Sequence, residues 1–395
     1  MGGGILVLNA GSSSVKFSLF GTGATGGLEL LSRGQVEGIG TSPRFLARSG
    51  AGETLVRREW PAEDGFDHER AIAVVLDWLA AEGGGETLRA AGHRVVHGGP
   101  AFAAPIRVDD AVLARLESFR PLAPLHQPHN LAGIRALHRL RPGLPQIACF
   151  DTAFHRARPA IADRFALPEE FFADGIRRYG FHGLSYEYIV TALAERDPEL
   201  AAGRVLVAHL GNGASICAIR DGRPVDTSMS FTPLDGLVMG TRPGSLDPGV
   251  LLHLLQARGM DAEDLEALLY HRSGLLGVSG ISSDMRELLM RLDDPRAALA
   301  VELFVYRAVR ELGGLVAVMG GLDGLVFTGG IGEHAAEIRS RICEGIEWLG
   351  VVLDAEANRG GAALVSAPQS RVRVHVMATD EEWMIARHTL SLLDG

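Results

Sequence analysis

Three short runs of small residues in this chain could each hold a phosphate group. Asn9, Ala10, Gly11, Ser12, Ser13, Ser14, Val15 and Lys16 read as one turn between two strands, and His209, Leu210, Gly211, Asn212 and Gly213 form a second run. Thr328 to Glu333 form a third, with glycine at 329, 330 and 332. Backbone N–H groups in such turns can approach an anion closely, because little side chain stands in the way. The third run follows the apolar Leu325, Val326 and Phe327 and opens a helical pattern, so a positive helix end adds to its N–H groups. None is a Walker loop, which ends in Gly-Lys-Ser/Thr and opens a helix. The first run instead continues into the alternating Val15, Phe17 and Leu19 of a strand. Of the 38 basic residues Lys16 is the single lysine, and a compact ammonium is not interchangeable with a guanidinium beside a phosphate. One such turn is a weak signal; three together point to a nucleotide.

The elements that must position these turns repeat along the chain. Ile5 to Leu19 parallels Val205 to Ile219 at an offset of 200 residues, and both read as strand, small-residue turn, strand. Two such hairpins, one opening each half, predict a duplicated fold. Helical periodicity occupies Glu69 to Ala81, Asp109 to Phe119, Asn130 to Leu140, Ser185 to Arg196, Asp261 to Tyr270, Pro295 to Met319 and Glu333 to Leu349. Strands alternating with helices define an α/β class. Arg141 to Pro145 break the pattern before a strand at Gln146 to Phe150, which places the end of the first domain just beyond it. Gly21 to Gly27 read as a hairpin tip.

Composition excludes several roles. The chain has 395 residues, 47% apolar and 22% charged, with a net charge of −10, and no basic stripe for nucleic acid. Cys149, Cys217 and Cys343 form no CxxC pair, which fits a reducing compartment and no disulfide framework. The longest apolar stretch, Leu312 to Leu322, has 11 residues including four glycines, too short for a membrane span. Ile5 to Leu8 are too short for the core of a secretion signal. The expected location is the cytoplasm.

Nine segments together resemble one family. They are Asn9 to Phe20, Gly92 to Gly99, Pro121 to His126, Phe150 to His155, Arg178 to Gly183, His209 to Gly213, Thr232 to Pro248, Gly280 to Arg286 and Thr328 to Glu333. Their content and order resemble the acetate and propionate kinases, within the superfamily of sugar kinases, Hsp70 and actin. The resemblance implies two duplicated ribonuclease H-like domains flanking a nucleotide cleft, a homodimer joined through the second domain, and no nucleic-acid or membrane partner. It places the first, acyl-substrate and phosphate domain at residues 1–152, completed by 378–395. The second, nucleotide-binding and dimerisation domain is then 153–377. The implied reaction is reversible, direct transfer of the γ-phosphoryl group of ATP to acetate, giving ADP and acetyl phosphate with Mg2+, or Mn2+ in its place.

Residue roles follow from the same resemblance. Arg94 and Arg242 stand for two guanidinium forks, suited to a carboxylate and to equatorial phosphoryl oxygens. His182 faces the phosphoryl group in flight, and Asp151 orients Arg94 or the metal water, since an acceptor carboxylate has no proton to give up. Ser12, Ser14, Lys16, His209, Leu210, Gly211, Asn212 and Gly213 fall on the phosphates. Asp284, Met285, Arg286, Gly330, Ile331, Gly332, Glu333 and His334 fall on the adenosine side. Arg94, Val96, Leu125, His126, Phe181 and Pro233 surround the acyl group, and Asn9 and Glu381 attend the metal. Tyr186, His334, Asp380 and Gln127 depart from the residues usual at those positions. The rival readings are a propionate or short-chain acyl kinase and an ATP-dependent binding or chaperone-like module. The second lacks any use for paired arginines and a histidine aimed at an acceptor.

Overall fold

A computed structural model describes residues 3–23, 27–62, 65–82 and 87–394. The chain forms two compact units, one of Met1–Phe154 with Asp380–Gly395 and one of His155–Thr379.

In the first unit, strands β1 (Gly4–Ala10), β2 (Ser14–Thr22), β3 (Leu28–Glu37), β4 (Arg44–Ser49) and β5 (Thr54–Glu59) run antiparallel in sequence. Helix α1 (His68–Glu82) returns the chain to β6 (Leu88–Val95), parallel to β1. The short β7 (Ile106–Arg107), α2 (Asp110–Glu117) and α3 (Gln127–Leu140) precede β8 (Gln146–Phe150), which lies parallel to β6. The sheet order is β5-β4-β3-β2-β1-β6-β8-β7. Leu6, Leu8, Val15, Phe17 and Leu19 bury one face against α1 and α3, where Phe17, Phe45 and Trp78 pack ring to ring. The opposite face receives the C-terminal helix Glu381–Asp394, which touches β1, β6 and β8. Covered on both faces, β1 is apolar along nearly its whole length. β2 and β3 do form a hairpin, paired out to Thr22 and Leu28, although residues 24–26 of its tip lie outside the described residues.

After short helical segments between Phe154 and Ala173, the second unit continues with α4 (Gly183–Arg196), then β9 (Arg204–Leu210), β10 (Ala214–Arg220) and β11 (Arg223–Thr227). Helices α5 (Pro248–Ala257), α6 (Ala262–His271) and α7 (Pro295–Met319) intervene before β12 (Gly324–Thr328). Then come α8 (Gly329–His334), α9 (Ala336–Gly345) and β13 (Arg373–Val376). Helix α7 has the boundaries its periodicity gave: Asp294 caps it, Pro295 opens it, and Gly320 ends it at φ 80°. The sheet order β11-β10-β9-β12-β13 repeats β3-β2-β1-β6-β8, three antiparallel strands and then two parallel ones. Each unit is therefore built on the same five-strand plan, and the internal repeat marks its opening hairpin in both.

The one helix read over Glu333 to Leu349 is in fact three pieces. Ala335 leaves the helical region at φ −99°, ψ 81°, ending α8 after His334, and a 3-10 turn at Glu347–Leu349 follows α9. Buried Arg339 accounts for the break, because it donates to the carbonyls of Gly332 (2.9 Å) and Glu333 (2.8 Å) and stabilises a helix end there.

Candidate active site

In the first unit the chemistry collects on the sheet face that carries the C-terminal helix. Leu8 pairs with His93 in the parallel register of β1 and β6, so Asn9 and Arg94 follow on the opposite face from the Leu8 core. Asn9 also sits opposite Lys16 across the β1–β2 hairpin. Arg94 lies near the carboxyl end of β6, and Asp151 directly follows β8. Two parallel hydrogen bonds join them, Arg94 Nε to Asp151 Oδ1 at 3.0 Å and Nη2 to Oδ2 at 2.7 Å. Burial pushes Asp151 above the usual carboxylate range, and the guanidinium opposes that push. With both oxygens accepting N–H bonds, the fork has the geometry of an ionised carboxylate. Burial works against the Arg94 charge, but Asp151 and Glu381 outweigh it and raise the guanidinium above its ordinary value.

Glu381 opens the C-terminal helix, with Oε2 3.6 Å from Arg94 Nε. What allows the helix so close is Gly92 in β6. A β-carbon there would lie 2.4 Å from Thr389 Oγ1 and 2.5 Å from Ile385 Cγ2. Asp380 Oδ1 accepts the Trp383 N–H at 2.8 Å, so its carboxylate caps the helix, a task that asparagine shares. Glu382 is pushed up by burial and by the adjoining Asp380 and Glu381.

Residues that the sequence did not single out hold the first turn. Asn130 donates from Nδ2 to the Ala10 carbonyl (2.7 Å) and accepts the Val96 N–H at Oδ1 (3.0 Å), tying the turn to the acyl-side residue. His68 Nε2 meets the Gly11 carbonyl at 2.6 Å. Ser12 is exposed and Ser14 half-buried at the start of β2. Lys16 differs from the reading that put it in the turn: it stands two residues into β2. It lines a pocket of about 310 Å³ with Arg33, Gln35, Arg48 and Glu382. Val96 is buried, Leu125 half-buried and His126 exposed at the head of α3, while Gln127 is fully buried and donates to the carbonyls of His97 and Leu116.

Asn9 and Glu381 offer hard oxygen donors only, and among the described residues no cluster of three or more His, Cys, Asp or Glu could cage a metal. Such a sparse oxygen set fits Mg2+, which keeps most of its waters and leans on phosphate oxygens.

In the second unit, His182 caps α4 in the left-handed conformation, φ 58° and ψ 24°, one of two such non-glycine residues among those described. A backbone held there at an energetic cost is a mark of functional positions. Its ring stacks on His209 at 4.3 Å, Nδ1 meets Ser215 Oγ at 2.8 Å, and Ser185 Oγ meets His209 Nδ1 at 2.8 Å. Arg242 donates from Nη1 to the carbonyl of buried Pro233 at 2.7 Å. Burial lowers the pKa of Arg242, and among the described residues no carboxylate pairs with it. Gly213 brings the two groups together: a β-carbon on it would lie 2.7 Å from Arg242 Nη2 and 3.4 Å from His182 Nε2. An uncompensated guanidinium beside an imidazole is suited to oxygens that carry negative charge. Phe181 is buried just before His182.

A cavity of about 530 Å³ in the same unit is lined by Gly211, Asn212, Asp284, Met285, Arg286, Gly330, Ile331 and His334. The strand–turn motif after β9 and the helix opening after β12 thus meet at one hollow. Asp284 caps the short helix Met285–Leu289 and pairs with Arg286 at 2.7 Å. Leu210 is buried in β9; Gly332 and Glu333 present the carbonyls that Arg339 holds. Arg339 carried no sequence signal, being one arginine among many.

Each unit repeats a ribonuclease H-like plan, with its charged and small-residue motifs at the ends of parallel strands. Together they define a two-domain α/β protein of the actin type. The acetokinase family model matches residues 4–387. An acetate kinase of Rhodopseudomonas palustris is 53% identical, with 99% of this chain and 98% of that protein covered. The crystal structure of Porphyromonas gingivalis acetate kinase superposes with a TM-score of 0.88 at 40% identity, over 99% of this chain and 100% of that one. A propionate kinase from Francisella tularensis gives 0.92 at 37% identity over the same shares. The chain belongs to the acetokinase family.

Proposed function

We propose that this chain transfers the γ-phosphoryl group of ATP to acetate, forming acetyl phosphate and ADP reversibly. The observation that supports this reading best is Arg242, which flanks Gly213 together with His182, a half-buried cation with no carboxylate partner among the described residues. All reactants are anionic, so the site must neutralise charge and hold the reacting atoms in line. Acetate enters ionised, and one of its oxygens attacks the γ-phosphorus as the bond to the ADP oxygen breaks. No proton need move. Arg94, held rigid by Asp151, binds the acetate carboxylate. In the first unit Val96 and Leu125 offer apolar surface for its methyl group and His126 borders it; Phe181 and Pro233 are the second unit's acyl-side residues. Arg242 and His182 stabilise the equatorial oxygens of the moving phosphoryl group. In the second unit the His209 to Gly213 segment takes the phosphate chain and the 530 Å³ cavity takes the nucleoside; Ser12, Ser14 and Lys16 are the first unit's phosphate-binding residues. Asn9 and Glu381 would hold Mg2+, which when bound would shield the phosphate charges.

The homodimer rests on a separate observation. No residue of α5 is buried, although Val250, Leu252 and Leu255 are 44%, 54% and 39% exposed, with Leu246 beside them at 42%. A contiguous apolar face of this kind is where a second copy packs. Among the described residues no helix is long and apolar enough to cross a membrane; Cys149, Cys217 and Cys343 are buried and form no disulfide, as expected of an enzyme in a reducing cytoplasm.

The test is hydroxamate trapping of acyl phosphate with ATP, Mg2+ and a series of short-chain acids. Acetate gives the highest kcat/KM; no acyl phosphate from any acid refutes the reading. Leu252→Glu yields a monomer by light scattering if α5 carries the dimer.

A further inference from the structure

Outside the charged groups, the most ordered polar arrangement in the second unit is a chain of hydroxyls behind His182. Ser215 lies on β10 and is fully buried, and Tyr186, one turn along α4, is also fully buried. Tyr186 Oη and Ser215 Oγ are 2.5 Å apart, and Ser215 Oγ is 2.8 Å from His182 Nδ1. Tyr186 is held in place by the edge of the His155 ring at 5.6 Å. We infer that Tyr186 and Ser215 form a hydroxyl relay that keeps the His182 proton on Nε2, the nitrogen that borders Gly213 with Arg242. The inference rests on the proposed phosphoryl-transfer role of this site and deepens it.

The direction of the relay follows from the chemistry of its members. A phenol is a stronger donor and a weaker acceptor than an alkyl hydroxyl, so Tyr186 O–H donates to Ser215 Oγ. Burial keeps that phenol protonated, raising its pKa well above its ordinary value. A serine hydroxyl that accepts a strong hydrogen bond becomes a better donor itself, and its own proton points at His182 Nδ1. Nδ1 then accepts, and the ring proton resides on Nε2. Two donors, Nε2–H and the Arg242 guanidinium, therefore converge beside Gly213. The opposite tautomer would turn a lone pair toward anionic oxygens and repel them. The groups around the ring are Ser215, the stacked His209, Arg242 and Gly213. Tyr186 is thus a positioning residue, acting on the phosphoryl group only through Ser215 and His182.

The experiment uses the full-length protein labelled with 15N-histidine, with the His182 signal identified by its loss in His182→Asn. In the wild type Nδ1 shows the shift of an unprotonated acceptor nitrogen and Nε2 that of a protonated one. In Tyr186→Phe, which keeps the ring and its packing, signal for the Nδ1–H form grows. Its kcat for acetyl phosphate formation falls about tenfold while KM for ATP and acetate stays within about twofold. Ser215→Ala lowers kcat at least as much, and the double variant loses no more than Ser215→Ala alone, because both changes cut one chain. A wild-type Nδ1–H tautomer overturns the inference even if acetate is phosphorylated. So do additive losses in the double variant, or a Tyr186→Phe protein with unchanged nitrogen shifts. Absence of acetyl phosphate from the wild type overturns the functional reading, and the nitrogen shifts then decide the relay by themselves.

Discussion

Gly213→Ala is the most direct probe of Arg242 and its neighbour His182 in the second unit. A β-carbon at residue 213 would stand 2.7 Å from Arg242 Nη2. Non-bonded heavy atoms settle at about 3.5 Å, so the guanidinium must retreat by roughly 0.8 Å. It is anchored by the 2.7 Å bond from Nη1 to the Pro233 carbonyl, which a shift of that size stretches past useful length. His182 Nε2, at 3.4 Å, is barely touched. Stability changes little, because Gly213 does not occupy a positive φ and alanine there even restricts the unfolded chain by about 0.4 to 1 kcal/mol. Catalysis does change, since displacement of a charge-stabilising group by nearly an ångström costs about 100-fold. The expected protein melts within a few degrees of the wild type, keeps KM for acetate, and loses about 30- to 100-fold in kcat. Coupled detection of ADP with saturating ATP and acetate reads this directly. A variant with wild-type kcat would refute the assignment of Arg242 to the transferring phosphoryl group.

Three further outcomes follow from the first unit and the buried histidines. Gly92→Ala drives the C-terminal helix off β6 at Thr389 and Ile385, carrying Glu381 away from Arg94. Titration of activity with Mg2+ should show a higher half-saturation, and an unchanged requirement would separate Glu381 from the metal. Lys16→Arg should raise KM for ATP more than any Lys/Arg exchange outside residues 94 and 242; near-normal ATP kinetics would assign Lys16 to its strand pocket alone. Burial depresses His93 to about 4, and His97 and His155 to about 3, from 6.5. Their folded pKa values lie below the unfolded one, so the unfolded chain binds more protons below pH 6.5 and stability falls as pH drops. By pH 5 each histidine costs about 2 kcal/mol. Urea unfolding at pH 7 and pH 5 measures this, and equal stabilities would show that the histidines are solvated.

Much of the architecture was legible because it depends on local pattern. The hairpins around Gly11 and Gly211, the 25-residue helix α7 and the helix-opening turn at Gly329 all announce themselves through alternation, caps and small residues. Strands β4 and β5 did not, since β5 reads Thr-Leu-Val-Arg-Arg-Glu and is exposed along nearly its whole length. The C-terminal helix was legible only as a place for Glu381, because its contacts are with strands more than about 230 residues earlier.

The sequence by itself determined the repeat, the phosphate-binding turns and the residue types for a reaction among anions. Those properties follow from short-range spacing and side-chain chemistry. Only the tertiary structure decided which arginine is compensated and which is not. Arg94 receives Asp151 from a neighbouring parallel strand and Glu381 from a helix that Gly92 admits, whereas Arg242 meets a carbonyl and flanks Gly213 together with His182. Lys16 likewise reads as part of a turn, but its place in β2 is fixed by pairing with Asn9. The proton position on His182 rests on a serine 33 residues away. Charge compensation and tautomer are set by partners distant in the chain, and no local pattern encodes which of them will meet.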